Sequence, residues 1–411
     1  MRKDLGLLAS MRLSALLTRR AKIIPVPERL SVPAEDDTVL ETAFKTALRQ
    51  LGEVSDRDGL VAWLGERGFE RLRDEEKLAF DLDEIAQRSI GQSCQPAIRQ
   101  ALMIIAQDRN PENGQLEQDG HFTTAMRDAA AYSLDVLGYV PADLSVFVPV
   151  PNAQSPDFAI GKYPVTNAQY ARFLKPENFV NKELWCNFPK YSEPDEEGRV
   201  AEIGSWADEG WDRLQAALAD PDYAEVVTEG VFSPRSWVVP KLSLPRAQVP
   251  VVGISWFEAN AYCKWLLAHW DELDEGRQGL AKPDLIRLPS GPEWVLAAGG
   301  QQNGRYAWGE LRDEKDLSRF ANIGRGRTTP VWMYPQGASV PHQIMDMSGN
   351  VTEWQANPFS PWFSALTLRG GTWTGRQELA LVTYDDDDEP FDLFEGAYDI
   401  GFRVAAFGFS G

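Results

Sequence analysis

The sequence of 411 residues contains only three cysteines, Cys94, Cys186 and Cys263. Three thiols cannot form the disulfide framework of a small secreted domain, so a reduced, cytoplasmic location is expected. Cys263 falls on a predicted amphipathic helix, where a cysteine usually serves as a small buried apolar residue. The cysteine content therefore excludes a disulfide-stabilised fold.

Long apolar runs and an excess of basic charge are also missing. The first 22 residues are basic and partly apolar, but Arg12 interrupts the apolar run, so we do not expect a signal peptide. No segment is long and apolar enough to span a bilayer. The net charge of −20 disfavours direct binding to nucleic acid or to an anionic membrane, although it leaves room for a local basic site.

Aromatic and turn-forming residues, in contrast, are abundant. The chain has 14 tryptophans, 33 glycines and 27 prolines. Glycine and proline mark turns, and large aromatic side chains provide burial that regular elements do not supply. The length is sufficient for two or three domains. This composition favours loop-rich structure around aromatic cores.

The first third of the chain has the apolar spacing of helices. Residues 1–30 are interpreted as a basic arm, and residues 31–143 as an α-helical domain. This domain is similar either to a short HEAT-like array or to a small helical bundle. Two helix faces show the spacing: Val39, Leu40, Ala43, Phe44, Ala47, Leu48 and Leu51, then Met126, Ala130, Leu134 and Leu137. Gly138 follows the second face as a helix stop.

The composition changes near Pro141, where short apolar runs broken by Gly, Pro and Asn replace the helical pattern. Val146, Val148 and Val150 alternate as they would in a strand. A second domain is therefore predicted for residues 144–411.

Within this domain, residues 189–246 are acidic and rich in turn signals. A stretch of this kind predicts a loop-rich insertion, which is uncommon in compact domains unless it has a function. We expect Trp206, Trp211 and Trp237 to anchor the insertion to the body of the domain.

Seven motifs identify the second domain when they are taken together and in order. They are Phe158–Leu174, Val249–Trp256, Ile286–Trp294, Tyr306–Gly309, Asp346–Trp354, Leu368–Trp373 and Ile400–Val404. This series resembles the formylglycine-generating-enzyme (sulfatase-modifying-factor) family. The resemblance implies an α+β fold with little regular structure, related to C-type lectins, here joined to an N-terminal α-helical domain.

Two of these motifs carry helix-capping patterns of their own. Thr166 or Asn167 can cap a helix that starts at Ala168. Ser255 precedes a predicted helix, and Glu258 follows it at the spacing of a capping box.

The resemblance implies a copper centre built from two cysteines shortly after the Leu368–Trp373 motif. Thiolates suit copper(I) because both are soft. The matching positions here are Gly375 and Ala380, and no cysteine occurs after Cys263. We therefore expect a catalytically inactive module rather than an enzyme, with no copper.

A sister group of the family, the iron-dependent sulfoxide synthases, holds iron with histidines. This chain has only His121, His269 and His342, and no pair has the i, i+4 spacing. We expect no iron. The competing interpretation, a metal-dependent oxidase or sulfoxide synthase, would require stoichiometric copper or iron.

Other recognisable chemistries are missing from the sequence. It contains neither the glycine-rich loop that cradles nucleotide phosphates nor the Gly-x-Ser-x-Gly elbow of hydrolases. The short basic stretch Gly324–Arg327 stands alone in an acidic chain and is interpreted as a solvated turn.

The resemblance also implies a structural calcium ion at the fifth motif. Its ligands would be the carboxylates of Asp346 and Glu353 and the backbone carbonyls of Gly349 and Val351. Calcium prefers several hard oxygens at close spacing, which this segment supplies. The alternative is a tight turn in which Glu353 takes a hydrogen bond or a salt bridge.

In this fold the segment between the last two motifs forms the exposed ligand surface. Aromatic and acidic residues alternate there, which is typical of protein-binding surfaces. The candidate ligand-binding residues are Trp373, Leu381, Tyr384, Asp385, Asp386, Asp387, Phe391, Phe394 and Tyr398. The alternative is that the apolar residues are core and that the aspartates form a solvated loop.

We therefore expect the chain to bind a protein partner through residues 374–399 and through its helical N-terminal domain, in a regulatory or defence-type assembly. An acidic rim would steer a basic partner. Two other interpretations remain open: a retroelement-diversified variable ligand-binding protein, which uses the same fold and segment, and a purely structural subunit.

Overall fold

A computed structural model describes residues 86–409, apart from 88, 112, 118, 152–157, 220–245, 274–279, 301–305, 311–316, 359–365, 376 and 384–395. The chain divides into two compact units, Met1–Val140 and Pro141–Gly411. The basic arm and the helices expected between residues 31 and 85 lie outside the described residues.

The described part of the first unit contains two helices, α1 (Gln95–Ala106) and α2 (Thr124–Val136), that pack against each other. Thr123 caps α2 by accepting a hydrogen bond from the backbone N–H of Met126 (3.4 Å). The buried Arg127 donates from Nε to the carbonyl of Ala106 at the end of α1 (3.2 Å). This bond satisfies a helix-end carbonyl that would otherwise be buried without a partner.

In its described residues the second unit combines short helices with nine short strands. Its helices are α3 (Asn167–Ala171), α4 (Pro176–Val180), α5 (Lys182–Trp185), α6 (Glu209–Ala219), α7 (Trp256–Ala268), α8 (Gly291–Ala297) and α9 (Leu317–Phe320), with 3-10 turns at Pro335–Gly337 and Gln377–Ala380. No helix in the described part of the chain is long and apolar enough to cross a membrane.

The strands form three small sheets. They are β1 (Phe147–Val150), β2 (Phe158–Gly161), β3 (Pro189–Tyr191), β4 (Glu202–Ser205), β5 (Pro283–Arg287), β6 (Thr352–Pro358), β7 (Leu366–Arg369), β8 (Ile400–Gly401) and β9 (Ala405–Phe409). The strand orders are β1-β2-β9-β5, β7-β6-β8 and β3-β4. The last strand, β9, therefore pairs antiparallel with both β2 and β5 and joins the two ends of the unit.

The predicted capping patterns are present. Thr166 is the N-cap of α3 and forms a capping box with Gln169. Ser255 and Glu258 form the expected capping box at the start of α7, with the backbone N–H of Ser255 donating to Glu258 Oε2 (2.7 Å). Each box satisfies two backbone donors at a helix start, so the sequence fixes these helix beginnings locally.

Four fully buried tryptophans organise the core of the second unit: Trp185, Trp256, Trp294 and Trp354. Each indole N–H donates to an acceptor inside the protein. Trp185 donates to the carbonyl of Asn178, and Trp256 donates to the carbonyl of Gln355. Trp354 donates to the carbonyl of Ile254, and Trp294 donates to the carboxylate of Glu353. A buried tryptophan combines a large apolar area with one polar group that must be satisfied.

The expected insertion at 189–246 contains more regular structure than a set of loops. It begins with the hairpin β3–β4 and continues with α6. Trp206 packs against Trp256 (ring centroids 5.6 Å apart), and Trp211 packs against the same core. These two tryptophans anchor the insertion as predicted, whereas Trp237 lies outside the described residues.

A buried ion pair joins β6 to the segment before β9. Arg403 donates from Nε and Nη2 to the two carboxylate oxygens of Glu353, both at 2.7 Å, and both side chains are fully buried. Arg403 also donates to the carbonyls of Gly161 (3.1 Å) and Met345 (2.9 Å). Trp294 Nε1 donates to Glu353 Oε2 (2.8 Å). The pair thus connects four separate segments.

Substitution of Glu353 by Gln tests this connection. The variant leaves the Arg403 guanidinium buried without its counter-charge, which costs about 3–5 kcal/mol of unfolding free energy for a buried pair. Urea unfolding, measured in EDTA, should show this loss. Arg199→Gln removes an exposed ion pair with Asp195 and serves as the control with no expected change. If the two variants had equal urea unfolding midpoints, the ion pair between Glu353 and Arg403 would not be central to the stability of the domain.

Candidate functional site

The motif Leu368–Trp373 contains two glycines at positions where no other residue fits without strain. Gly370 and Gly371 have φ angles of 102° and 68°. A Cβ atom on Gly371 would lie 2.6 Å from the backbone nitrogen of Ala380. The chain after Trp373 therefore folds back so that Ala380 lies directly against Gly371.

Trp373 is the last residue of this motif and is buried, while the two residues after it are exposed. Its backbone N–H donates to the carbonyl of Asn350 (3.2 Å), and its carbonyl accepts from the backbone N–H of Gly326 (3.3 Å). Its ring is 93% buried and packs against Tyr398, whose exposed fraction is 52% (centroids 5.8 Å apart). Its indole Nε1 is buried with no hydrogen-bond partner. Thr374 and Gly375, which follow it, are exposed.

The basic stretch Gly324–Arg327 lies beside Trp373 and is not an isolated turn. A Cβ atom on Gly324 would come within 3.6 Å of the Cα atom of Gly375. The side chain of Asn322 fixes the end of the loop by donating from Nδ2 to the carbonyl of Arg327 (2.9 Å). We call Trp373–Gly375, Tyr398 and the loop Gly324–Arg327 the ligand face.

The two arginines of the loop differ in their surroundings. Arg325 is half-buried, donates from Nη2 to the carbonyl of Ser318 (3.1 Å) and lies 5.3 Å from the ring centroid of Tyr334. Arg327 is exposed. Sequence spacing alone could not place this loop, because almost 50 residues separate it from Trp373.

The structure describes three of the nine candidate ligand-binding residues. Trp373 and Tyr398 are in contact on the ligand face. Leu381 is half-buried and packs on a small core cluster that includes Tyr306, Leu317 and Ala380. The other candidates lie outside the described residues: Tyr384, Asp385, Asp386, Asp387, Phe391 and Phe394.

The two positions matched to the copper-binding cysteines do not offer ligands for that metal. Ala380 is fully buried in an apolar cluster, and Gly375 has no side chain. The cysteines Cys94, Cys186 and Cys263 are buried and unpaired. Burial raises the pKa of the Cys263 thiol and holds it in the neutral form, as expected for a core residue. A thiolate pair therefore does not fit at this place in the chain.

Two of the three histidines, His121 and His269, have local partners. His121 lies 3.6 Å from a carboxylate oxygen of Glu117, and His269 stacks on Trp265, with its Nδ1 2.9 Å from the Trp265 carbonyl. Burial lowers the pKa of His342. Among the residues that the structure describes, no three His, Cys, Asp or Glu side chains form a metal-binding group. The absence of copper and iron stays a prediction.

The motif Asp346–Trp354 begins with a turn that contains buried polar side chains. Asp346 and Asn350 both adopt left-handed backbone conformations, with φ angles of 54° and 71°. Asn350 donates from Nδ2 to Asp346 Oδ2 (2.9 Å), while its Oδ1 accepts from the side chain of Asn322 and from the backbone N–H of Thr329 (both 3.0 Å). Asn322 Oδ1 is buried with no hydrogen-bond partner, and such an oxygen is of the type calcium prefers.

The four expected calcium ligands share this turn, but Asp346, Gly349 and Glu353 already accept hydrogen bonds. Both oxygens of Glu353 accept hydrogen bonds from Arg403, which is the salt bridge foreseen as the alternative. The carbonyl of Gly349 accepts from the N–H of Val351 (3.1 Å). Calcium at Asp346, Gly349, Val351 and Glu353 stays a prediction.

Comparison with protein families decides the classification. Residues 113–406 match the model of the sulfatase-modifying factor enzyme 1-like domain. The chain belongs to this family. The resemblance drawn from the seven motifs and the α+β fold that it implies are therefore confirmed. The match begins at residue 113, before the predicted domain start at 144.

Members of the family with assigned names include enzymes. The chain is 25% identical over 277 residues to hercynine oxygenase of Mycobacterium tuberculosis, covering 60% of this chain and 53% of that protein. It is 29% identical over 276 residues to formylglycine-generating enzyme of Streptomyces coelicolor, covering 57% and 73%. It is 28% identical over 231 residues to the inactive C-alpha-formylglycine-generating enzyme 2 of Mus musculus, covering 53% and 63%. The chain thus spans about half the length of the hercynine oxygenase.

These relatives contradict the expectation that the chain is not an enzyme. That expectation depended on the missing cysteines at Gly375 and Ala380 and on three scattered histidines. Missing copper or iron ligands at these positions exclude one kind of metal chemistry. The chain is nevertheless similar, over more than half of its length, to relatives named as an oxygenase and as a formylglycine-generating enzyme.

The buried carboxyl group of Asp346 gives the family domain a pH-dependent stability. Burial raises its pKa to about 7, while the hydrogen bond from Asn350 and the charge of Arg403 offset part of this increase and Glu353 adds to it. Since the pKa is higher in the folded state than in the unfolded state, folding takes up a proton. The stabilising contribution is complete below about pH 4 and is lost as the pH rises through 7.

Asp346→Asn removes this titration while retaining an acceptor for Asn350. Between pH 5 and pH 8, the unfolding free energy of the unaltered chain should fall by about 2.5 kcal/mol relative to the variant. Urea unfolding at pH 5, 6, 7 and 8 in EDTA measures this difference. A difference that does not change with pH would show that Asp346 is ionised throughout.

Proposed function

We propose that the family domain of this chain binds a protein ligand on the ligand face. The observation that carries the proposal is the contact between Trp373 and Tyr398. One ring is buried and fixed, and the other lies on it with half of its surface exposed. A rigid aromatic pair of this kind loses little conformational entropy on binding, and such residues dominate the binding energy of protein interfaces.

The backbone around the aromatic pair supports the same proposal. Trp373 is held on both sides by backbone hydrogen bonds, to Asn350 and from Gly326. The exposed residues Thr374 and Gly375 continue directly from it. A surface that is fixed before binding pays less of the ordering cost of association.

Charged residues would make the proposed surface selective for its partner. The sequence after Thr383 contains the acidic run Asp385–Glu389, and the ligand face contains Arg325 and Arg327. In the proposed binding surface, groups of both charges would select a partner with the complementary arrangement and increase the rate of encounter. A flat apolar surface would not distinguish partners in this way.

A second candidate is an oxidative reaction on the bound ligand. The relatives named hercynine oxygenase and formylglycine-generating enzyme favour it, because each is similar to more than half of the chain. The residues at Gly375 and Ala380 cannot supply the thiolates of a copper centre. Stoichiometric copper or iron in the purified full chain would support this candidate.

The proposed ligand is a cytoplasmic protein that belongs to a regulatory or defence-type assembly. In this proposal the helical N-terminal unit provides a surface for a further partner. Calcium at the turn that begins with Asp346 would stabilise the scaffold below the ligand face. An alternative proposal is that the chain is a variable ligand-binding protein in which a retroelement diversifies residues 374–399.

Replacement of Tyr398 by Ala tests the proposed function. The full chain captures its ligand from native lysate after cross-linking, and the ligand is identified by mass spectrometry and purified. We expect Tyr398→Ala to weaken binding of this ligand at least about tenfold, since an aromatic anchor contributes more than ~1.4 kcal/mol. Calorimetric titration measures the change.

Ile203→Ala is the matched control, because Ile203 is an exposed apolar side chain on the hairpin β3–β4. It should bind as the unaltered chain does. If Tyr398→Ala also retains full affinity, the ligand binds elsewhere and the proposal is wrong.

A further inference from the structure

A cavity of about 50 Å³ lies inside the second unit, where the segment that leads into β1 meets α3 and α7. It shares no residue with the ligand face. Protein interiors contain few voids larger than a water molecule, because the atoms around an empty space lose packing contacts. Aromatic side chains form much of its wall: Phe147, Tyr163, Tyr262, Trp265 and Trp270.

The aromatic wall is packed in a fixed arrangement. The ring centroids of Phe147 and Trp270 are 5.5 Å apart, and those of Tyr262 and Trp265 are 5.4 Å apart. Tyr262 also stacks on the fully buried Tyr170 (5.6 Å). Tightly packed rings of this kind do not collapse into a neighbouring space, so the cavity is formed before any ligand arrives.

The size and polarity of the cavity define the apolar part of a ligand. An apolar cavity of ~150 Å³ holds a benzene ring and contains no water when it is empty. A space of one third of that volume accommodates a group of about two or three carbon atoms, such as an isopropyl group. Val146, Val165 and Leu266 complete a wall that offers water few hydrogen bonds, so an alkyl group is the better occupant.

Polar side chains lie at one part of the wall: Ser145, Gln169 and Arg172. Gln169 is used by the fold itself, because its Oε1 accepts from the backbone N–H of Thr166 (3.0 Å) and its Nε2 donates to the carbonyl of Leu144 (3.4 Å). These bonds hold the segment that carries Ser145 against α3. Ser145 and Arg172 are therefore the side chains that would recognise a polar group of the ligand.

Arg172 gives the cavity a positive charge. It is the one charged side chain among the described residues that line the cavity, and it is half-buried where α3 ends. Burial raises the pKa of Tyr262, and the charge of Arg172 offsets part of this increase. The guanidinium charge thus acts on the aromatic wall, whichever other groups its N–H donors contact. It favours a negative group on the ligand and disfavours a positive one.

The acidic residue that precedes the cavity segment does not compensate this charge. Asp143 accepts hydrogen bonds from Lys162 Nζ (2.5 Å) and from the Tyr163 hydroxyl (2.9 Å). Its carboxylate is therefore engaged by a different cation.

From this cavity we propose that the family domain binds a small, free branched-chain carboxylate, with its alkyl group between the aromatic rings and its carboxylate beside Arg172 and Ser145. Guanidinium and hydroxyl groups both donate hydrogen bonds, and those to an ionised carboxylate are the stronger kind. This site goes beyond the proposed function, because it is separate from the ligand face and takes a different class of ligand.

Fluorine NMR on the full chain tests the proposal with three probes that share an isopropyl group and differ in charge: isobutyrate, isobutanol and isobutylammonium. The chain is labelled with 5-fluorotryptophan, and Trp270→Phe identifies the Trp270 resonance among the 14 tryptophans. At neutral pH and constant ionic strength, isobutyrate should shift this resonance in a saturable way. Isobutanol should bind about tenfold more weakly, and isobutylammonium should not bind. If isobutyrate gives no saturable shift, or binds no more tightly than the other two probes, the proposal is wrong.

A fourth probe distinguishes a free acid from the end of a polypeptide chain. N-acetylvalinate carries the same isopropyl group and carboxylate, with an amide attached. We expect it to bind more weakly than isobutyrate, because the cavity has room for only a few carbon atoms. Tighter binding of N-acetylvalinate would contradict a free acid as the ligand.

Variants of Arg172 show whether its charge selects the ligand. Arg172→Gln should weaken isobutyrate binding about tenfold and leave isobutanol binding unchanged, whereas Arg172→Lys, which keeps the charge, should weaken isobutyrate binding less. Arg199→Gln removes an exposed arginine that does not line the cavity and should change neither. Isobutyrate binding that is unaltered by Arg172→Gln would overturn the proposed role of the charge and with it the carboxylate.

A matched pair of variants on α7 shows whether the probe enters the cavity. Leu266 and Leu267 are both half-buried, but only Leu266 lines the cavity. Leu266→Phe should fill the cavity and abolish binding of isobutyrate and isobutanol, whereas Leu267→Phe should leave both unchanged. Urea unfolding confirms that each variant is folded, and if Leu266→Phe is not, the Arg172 variants decide. Equal binding by the two folded leucine variants would show that the probe binds elsewhere.

Tyr398→Ala separates this inference from the proposed function. The variant should leave isobutyrate binding unchanged, because Tyr398 does not line the cavity. Failure of the protein-ligand test at Tyr398 therefore leaves the cavity site intact, and failure of the isobutyrate titration leaves the ligand face intact.

Discussion

The ion pair between Glu353 and Arg403 is the interaction on which the family domain depends. Both side chains are fully buried, and each has further partners: Trp294 for the carboxylate, and the carbonyls of Gly161 and Met345 for the guanidinium. A buried pair is tolerated only when its remaining donors and acceptors are satisfied. These bonds require segments far apart in sequence to meet at one point, so they specify the loop-rich fold where regular elements are short.

The same turn that ends at Glu353 also positions the ligand face. Asn350 holds the backbone of Trp373 with its carbonyl and holds Asn322 with its side chain, and Asn322 in turn fixes Arg327. A continuous set of hydrogen bonds therefore leads from Asn350 in this turn to Trp373 and Arg327. The residues of the ligand face lie on loops, and a buried polar network rather than helices or strands fixes the positions of these loops.

Local signals in the sequence gave correct results where the physics is local. The cap at Thr166 and the capping box at Ser255 involve residues at most three positions apart, so the local sequence predicts them, although the helix after Thr166 starts one residue earlier than expected. The insertion was less predictable, because β4 is exposed along its length and shows no alternation of apolar and polar residues. The expectation of an inactive protein was wrong because missing cysteines exclude one metal chemistry and not every activity of a family that includes named enzymes.

The sequence by itself determined the family, the α+β class and the main helix starts, and it suggested Trp373 and Tyr398 as ligand-binding residues, which stays a prediction. These follow from motifs and from spacing along the chain. Only the tertiary structure decided that Glu353 pairs with Arg403 and that the loop Gly324–Arg327 lies beside Trp373. The physical reason is that both contacts join residues about 50 positions apart through buried hydrogen bonds, and no periodicity or local propensity records such a contact.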